Sequence, residues 1–177
     1  FAPLARWRSS APSPDAPQTD VIAVDIDAKR FASLRQLAES PATQEGAVRA
    51  LASPRARAVS DRLGGAVGYN AYAEFDTAAE VKALLARLST LALPLSRLRR
   101  GGARPRALLF KALADCVGLP CGITVGSCVR GAHAHHAWAT VRDGDEVLVV
   151  DLVHSPGELY GDGSDAARRY QRVDEFS

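Results

Sequence analysis

The chain has 177 residues and a mass of 18.8 kDa, and its 22 basic and 20 acidic side chains leave a formal charge of +2. That length suits one domain with a tail, and 47% hydrophobic with 24% charged residues excludes wholesale disorder. No apolar run approaches the roughly 18–20 residues that span a bilayer, and so small a net charge makes no electrostatic case for nucleic-acid binding.

Aromatic residues are only 6%, so the predicted core is aliphatic. There is no methionine, and the expectation is a processed chain or a piece of a longer polypeptide. Only Lys29, Lys82 and Lys111 are lysines among the 22 basic residues. The arginines that make up the rest favour planar bidentate partners such as carboxylates. Cys116, Cys121 and Cys128 are odd in number and lack a secretory context, which favours a reducing, cytoplasmic setting over a disulfide framework.

Residues 1–19 are rich in Pro, Ser and Ala and read as a linker or disordered leader. The β-branched run 21–26 predicts a strand. Phe31, Leu34 and Leu37 at helical spacing predict a short helix over 28–38. A further helical pattern covers 42–63, with an interruption expected at Pro54 and a stop at Gly64-Gly65. Residues 66–78 read as loop. Val81, Leu84, Leu85, Leu88 and Leu91 predict a helix over 77–91, with Asp76 as its N-cap and Pro94 ending it. A basic stretch, Arg97, Arg99, Arg100, Arg104 and Arg106, surrounds Gly101-Gly102. A helix follows from Pro105 or Arg106 to about Val117, with Leu108, Leu109, Ala112 and Leu113 expected to face the core.

The last third switches to period two. Ile123–Val125, Ala137–Val141 and Glu146–Asp151 predict three strands, the last two joined at a tight Asp143-Gly144-Asp145 turn. Residues 161–177 read as a loose polar tail. Helices followed by an antiparallel meander make an α+β fold, with helices packed on the sheet.

The 105–117 helix leads through Gly118-Leu119-Pro120 into strands that carry His136 and Asp151. A helix N-terminus facing a His and an Asp is an arrangement suited to thiol catalysis: the helix end favours an anion, the imidazole takes a proton, and the carboxylate orients the imidazole. Gly101, Ala107, Leu109, Phe110, Gly118-Leu119-Pro120, His136-Ala137-Trp138 and Asp151 resemble the core of the transglutaminase-like, papain-related cysteine enzymes.

The segments 106–115, 118–121 and 150–159 are similar to one branch of that group. Upstream, Asp20–Leu37, Arg62–Gly65 and Leu93–Leu98 agree with it. The branch is the regulatory domain of plant Raf-like kinases of ethylene and disease-resistance signalling, found also at the C-terminus of the ciliary armadillo-repeat-containing protein 3. The resemblance covers about 20–160 and implies a transglutaminase-like domain there. Where the family pattern has Gly-x-Cys-Arg-His, this chain reads Gly101-Gly102-Ala103-Arg104-Pro105. The nucleophile position is thus Ala103, whose methyl group cannot attack. Ala103, His136 and Asp151 are read as a vestigial triad, and the domain as a non-catalytic interaction module or scaffold.

The resemblance further implies protein partners and, through the armadillo branch, a cilium or axoneme. The Arg97–Arg106 stretch could grip an acidic surface such as a tubulin tail. A cysteine peptidase or acyltransferase that has its nucleophile replaced is the alternative, and a kinase-attached regulatory domain a third. No nucleic acid is expected, since no aromatics interleave the basic residues. No cofactor is expected, and no metal: Cys116, Cys121 and Cys128 with His133, His135 and His136 form no CxxC pair or standard zinc spacing. Cys116 and Cys121 are expected to be buried, and Trp138 to be core.

Overall fold

The structure is a computed structural model that describes residues 21–26, 29–38, 47–72, 75, 77–90, 92–128 and 133–172. The expectations for 1–19, for Asp76 as a cap, for the start of the second helix and for 173–177 lie outside these residues. Four helices are described: α1 (Ala32–Ala38), α2 (Ala47–Arg62), α3 (Ala78–Leu88) and α4 (Ala103–Cys116). Strands β1 (Val21–Ala23) and β2 (Ala92–Pro94) pair in parallel. Strands β3 (Cys121–Cys128), β4 (His133–Asp143), β5 (Glu146–Val150), β6 (Leu159–Gly161) and β7 (Tyr170–Arg172) form one antiparallel sheet in the order β6-β5-β4-β3-β7. The fold is α+β.

Side-chain alternation gives the sheet two working faces. Ala137, Ala139 and Val141 of β4 and Leu148 and Val150 of β5 are buried in the main core with Phe31, Ala56, Val59, Leu109, Phe110 and Leu113. The alternate residues of β4 point the other way. There Trp138 joins Cys128 and Tyr170 in a second cluster, against which Tyr69, Val149 and Tyr160 pack. Trp138 is 4% exposed.

Several elements differ from their prediction. α2 runs through Pro54 without a break. Arg55, the next residue, turns its guanidinium back and donates from Nη1 to the Leu51 carbonyl at 2.8 Å. Gly64 and Gly65, with φ of 104° and 79°, end the helix as expected. α3 stops at Ser89, which takes a left-handed φ of 50°, well before Pro94. α4 starts at Ala103, so Pro105 sits within its first turn, where a missing N–H costs nothing. Its buried face is Ala103, Arg106, Ala107, Leu109, Phe110, Leu113 and Ala114, with Leu108 and Ala112 only half-buried.

Residues 159–172, largely expected as a loose tail, add strands at both sheet edges and bury Tyr170 against Cys128 and Trp138. Cys116, the last residue of α4, is exposed, and Cys121 is half-buried; both were expected inside. Burial pushes the Cys121 thiol up to about 12. Since the thiolate is the nucleophile, iodoacetamide at about pH 8 is expected to modify Cys121 at least ~100-fold more slowly than Cys116. Peptide mass spectrometry over a time course checks this, and comparable rates would contradict it.

Candidate functional site

The site begins where α4 begins. Gly102 is the N-cap, extended at φ −70°, ψ −166°, and offers no side-chain cap. The first amide of the helix is satisfied from a distance: Ala103 N–H donates to Tyr72 Oη at 3.2 Å. Burial raises the Tyr72 phenol above its ordinary value, an effect opposed by that backbone bond and by the Arg106 charge. The group is therefore a neutral hydroxyl at pH 7. Ala103 is buried, with a methyl group at the position that would project from the helix start.

Tyr72 also faces the imidazoles. Its ring lies edge-on to His136 at 5.4 Å and to His154 at 5.3 Å between centroids. His136 and His154 stack nearly parallel, 5.4 Å apart with 12° between planes. Tyr69 stacks on His154 at 4.0 Å, and Tyr170 and Trp138 flank His136 at 6.0 and 6.4 Å. Tyr72 is thus the element shared by the amide of Ala103 and the ring of His136.

Asp151 lies at the end of β5, fully buried, and serves the backbone. Its Oδ1 accepts from the amides of Val153 and His154 at 2.8 and 2.9 Å, and Oδ2 from Ser155 at 2.8 Å. The carboxylate thereby shapes the turn that carries His154, and His154 donates from Nδ1 to the Val67 carbonyl at 2.8 Å. Asp151 acts on the His136 ring's neighbour by fixing where His154 stands.

The basic stretch divides in two. Arg97, Arg99, Arg100 and Arg104 are exposed. Among the described residues the ion pairs involve Arg49, Lys111 and Arg168, and none of these four. Arg100 stacks its guanidinium over Phe75 at 4.5 Å and borders a shallow cleft with Gly64, Val67 and Gly68. Arg106 does not belong with them. It is fully buried, donating from Nε to Gly101 O at 2.7 Å, from Nη1 to Ser60 Oγ and Leu152 O at 2.9 Å each, and from Nη2 to Leu63 O at 3.0 Å. Burial lowers it to about 10, with Tyr72 and Asp151 opposing. The expectation that Arg106 meets a partner is corrected: i, i+3 and i, i+7 spacing to the buried Leu109 and Leu113 turns it inward on α4, and it binds the fold together.

Sequence reasoning passed over Tyr72 and His154, and set Cys128 aside as a metal ligand on its linear spacing from His136. The Cys128 thiol and ring nitrogens of His136 and His154 lie within 4.8 Å of one another. Cys128 lies two residues after Gly126, the partner of His136, and so on the same face of β3; the extra residue where the register slips between Gly126↔His136 and Cys128↔His133 belongs to β4. No linear spacing signals that slip. His154 was readable as a histidine three residues after a buried Asp, yet nothing local says that its ring folds under β4.

The model of the family described as EDR1/CTR1/ARMC3, peptidase-like, matches residues 8–160. The chain belongs to this family. Among relatives, a probable serine/threonine-protein kinase, SIS8 of Arabidopsis thaliana, is 42% identical over 76 residues, covering 43% of this chain and 7% of the kinase. Armadillo repeat-containing protein 3 of Homo sapiens is 32% identical over 117 residues, 59% of this chain and 13% of that protein. The serine/threonine-protein kinase CTR1 of Arabidopsis thaliana is 42% identical over 77 residues, 43% of this chain and 9% of the kinase. The chain therefore matches a small part of each relative. Among its described residues no helix is long and apolar enough to cross a membrane.

Proposed function

We propose that this EDR1/CTR1/ARMC3 domain is a non-catalytic, transglutaminase-like module that works by binding another protein within a larger polypeptide. The observation that carries the reading is the start of α4: residue 103 is an alanine, and the amide there that would stabilise an anion is already bonded to the Tyr72 hydroxyl. The exposed Arg97, Arg99, Arg100 and Arg104 beside it, with Arg100 held flat on Phe75, form a cationic face suited to carboxylates. An acidic protein surface is the partner proposed. A tubulin tail in an axoneme is the instance proposed.

The test is binding of a glutamate-rich peptide, measured by fluorescence anisotropy against the chain and its R97A/R99A/R100A/R104A variant. The variant is expected to bind at least ~10-fold more weakly and to keep its unfolding free energy within about 1 kcal/mol, since four exposed charges contribute little to stability. Equal affinities for the two proteins would sink the acidic-partner reading.

One observation favours a second reading, a thiol enzyme: a cysteine, Cys128, does lie close to His136. It is fully buried, which weighs against substrate access. A C116S/C121S variant, in which Cys128 is the remaining thiol, separates the two. On the non-catalytic reading Cys128 reacts with iodoacetamide no faster than a small free thiol, and His136→Ala leaves its rate unchanged. Fast labelling that depends on His136 would restore the enzyme reading.

A further inference from the structure

We propose that Cys128, His136 and His154 form a zinc-binding site. Their donor atoms lie within 4.8 Å of one another although the residues come from three separate segments: β3, β4 and the turn after β5. One thiolate and two imidazoles suit zinc in donor type. Zinc binds sulfur at about 2.3 Å and imidazole nitrogen at about 2.0–2.1 Å, which sets tetrahedral donors roughly 3.3–3.7 Å apart. Side-chain closure on the order of 1 Å brings this trio to that spacing.

The surroundings have the form of a ligand support. His154 gives its Nδ1 proton to the Val67 carbonyl, which fixes the tautomer and leaves Nε2 as the basic nitrogen. Metal-binding histidines are held in this way by a carbonyl behind them. The backbone amide of His154 is in turn bonded to Asp151, so ring position and carboxylate are coupled. Cys128, His136 and His154 are 0%, 2% and 9% exposed, and Tyr69, Tyr72, Trp138 and Tyr170 wall the imidazoles. A buried aromatic wall of this kind strengthens charge interactions inside it. Three protein donors leave one tetrahedral position for water. The site is independent of the acidic-partner reading, because none of its three donors belongs to the arginine face.

The test uses the whole chain, metal-free and reduced, titrated with Co²⁺ in the absence of oxygen. One equivalent is expected to give a sulfur-to-cobalt charge-transfer band with tetrahedral visible bands, both lost on adding Zn²⁺. Cys128→Ser should abolish the charge-transfer band, and His154→Gln should weaken binding at least ~10-fold. A C116S/C121S variant should keep both features. X-ray absorption of the zinc-loaded wild type needs no variant, so a folding defect in Cys128→Ser leaves the proposal testable: one sulfur and two imidazole scatterers are expected. No cobalt band, a band that survives Cys128→Ser or disappears in C116S/C121S, or a zinc shell without sulfur would overturn it.

Discussion

Replacing Arg106 with glutamine is expected to lower the unfolding free energy by about 3–5 kcal/mol, enough to leave a domain of this size barely folded. The guanidinium supplies donors to four acceptors on three stretches of chain: Gly101 before α4, Ser60 and Leu63 at the end of α2, and Leu152 after β5. A shorter neutral amide can reach one or two of them, and each buried acceptor left without a donor costs about 1–3 kcal/mol. Arg106→Lys keeps the charge but replaces a planar fork by a single point, so an intermediate loss is expected. Denaturant unfolding followed by circular dichroism measures it: the midpoint should fall while the slope holds. A loss below about 1 kcal/mol in the glutamine variant would show that Arg106 is not the junction described. The same bonds position the site, since Gly101 and Leu63 set the approach to Ala103, and Leu63 O also accepts from Gly101 N at 3.0 Å.

Arg106 also shows where sequence reading stops. Five arginines within ten residues look alike in composition, and the buried one is distinguished only by the helix phase that sets Arg106 three and seven residues before the buried Leu109 and Leu113. What periodicity and turn chemistry control was legible: the 3.6-residue stripe of α3, the glycine stop after α2, the β4–β5 hairpin and the α+β order all follow from local patterns. Strand β1 was read from its β-branched run, but its parallel partner β2 and the edge strands β6 and β7 were not, because these three-residue strands owe their existence to distant partners. The same holds for the site. Ala103, His136 and Asp151 were found because a family pattern marks them, whereas Tyr72, Cys128 and His154 arrive through a loop contact, the pairing of β3 with β4 and a capped turn. Asp151 illustrates the limit: its burial beside the site was legible, but its three amide partners depend on the conformation of residues 153–155.

Gly126→Ala is expected to destabilise the chain by about 2–3 kcal/mol through steric conflict alone. Gly126 has no left-handed φ, so an alanine meets no backbone strain there. Its added Cβ would instead run into the Gln171 carbonyl oxygen and stand 2.7 Å from the Trp138 ring. The first obstacle is backbone of β7, which cannot rotate away as a side chain can, so β7 must leave its pairing of Gly126 with Arg172 and Cys128 with Tyr170. That movement uncovers Tyr170 and loosens the wall around His136. Gly122→Ala, four residues earlier on the same strand, is the control: its Cβ would meet only the Thr140 hydroxyl at 3.0 Å, a side-chain atom that can turn aside. There the gain in strand propensity, roughly 0.5 kcal/mol, offsets most of the contact, and the net change should stay within about 1 kcal/mol. Paired thermal melts decide the matter. Equal losses at 122 and 126 would mean that β7 does not press on β3, and the chain beyond residue 161 would then be dispensable to the second cluster. A loss confined to 126 makes the close approach of β7 the reason a glycine stands opposite His136.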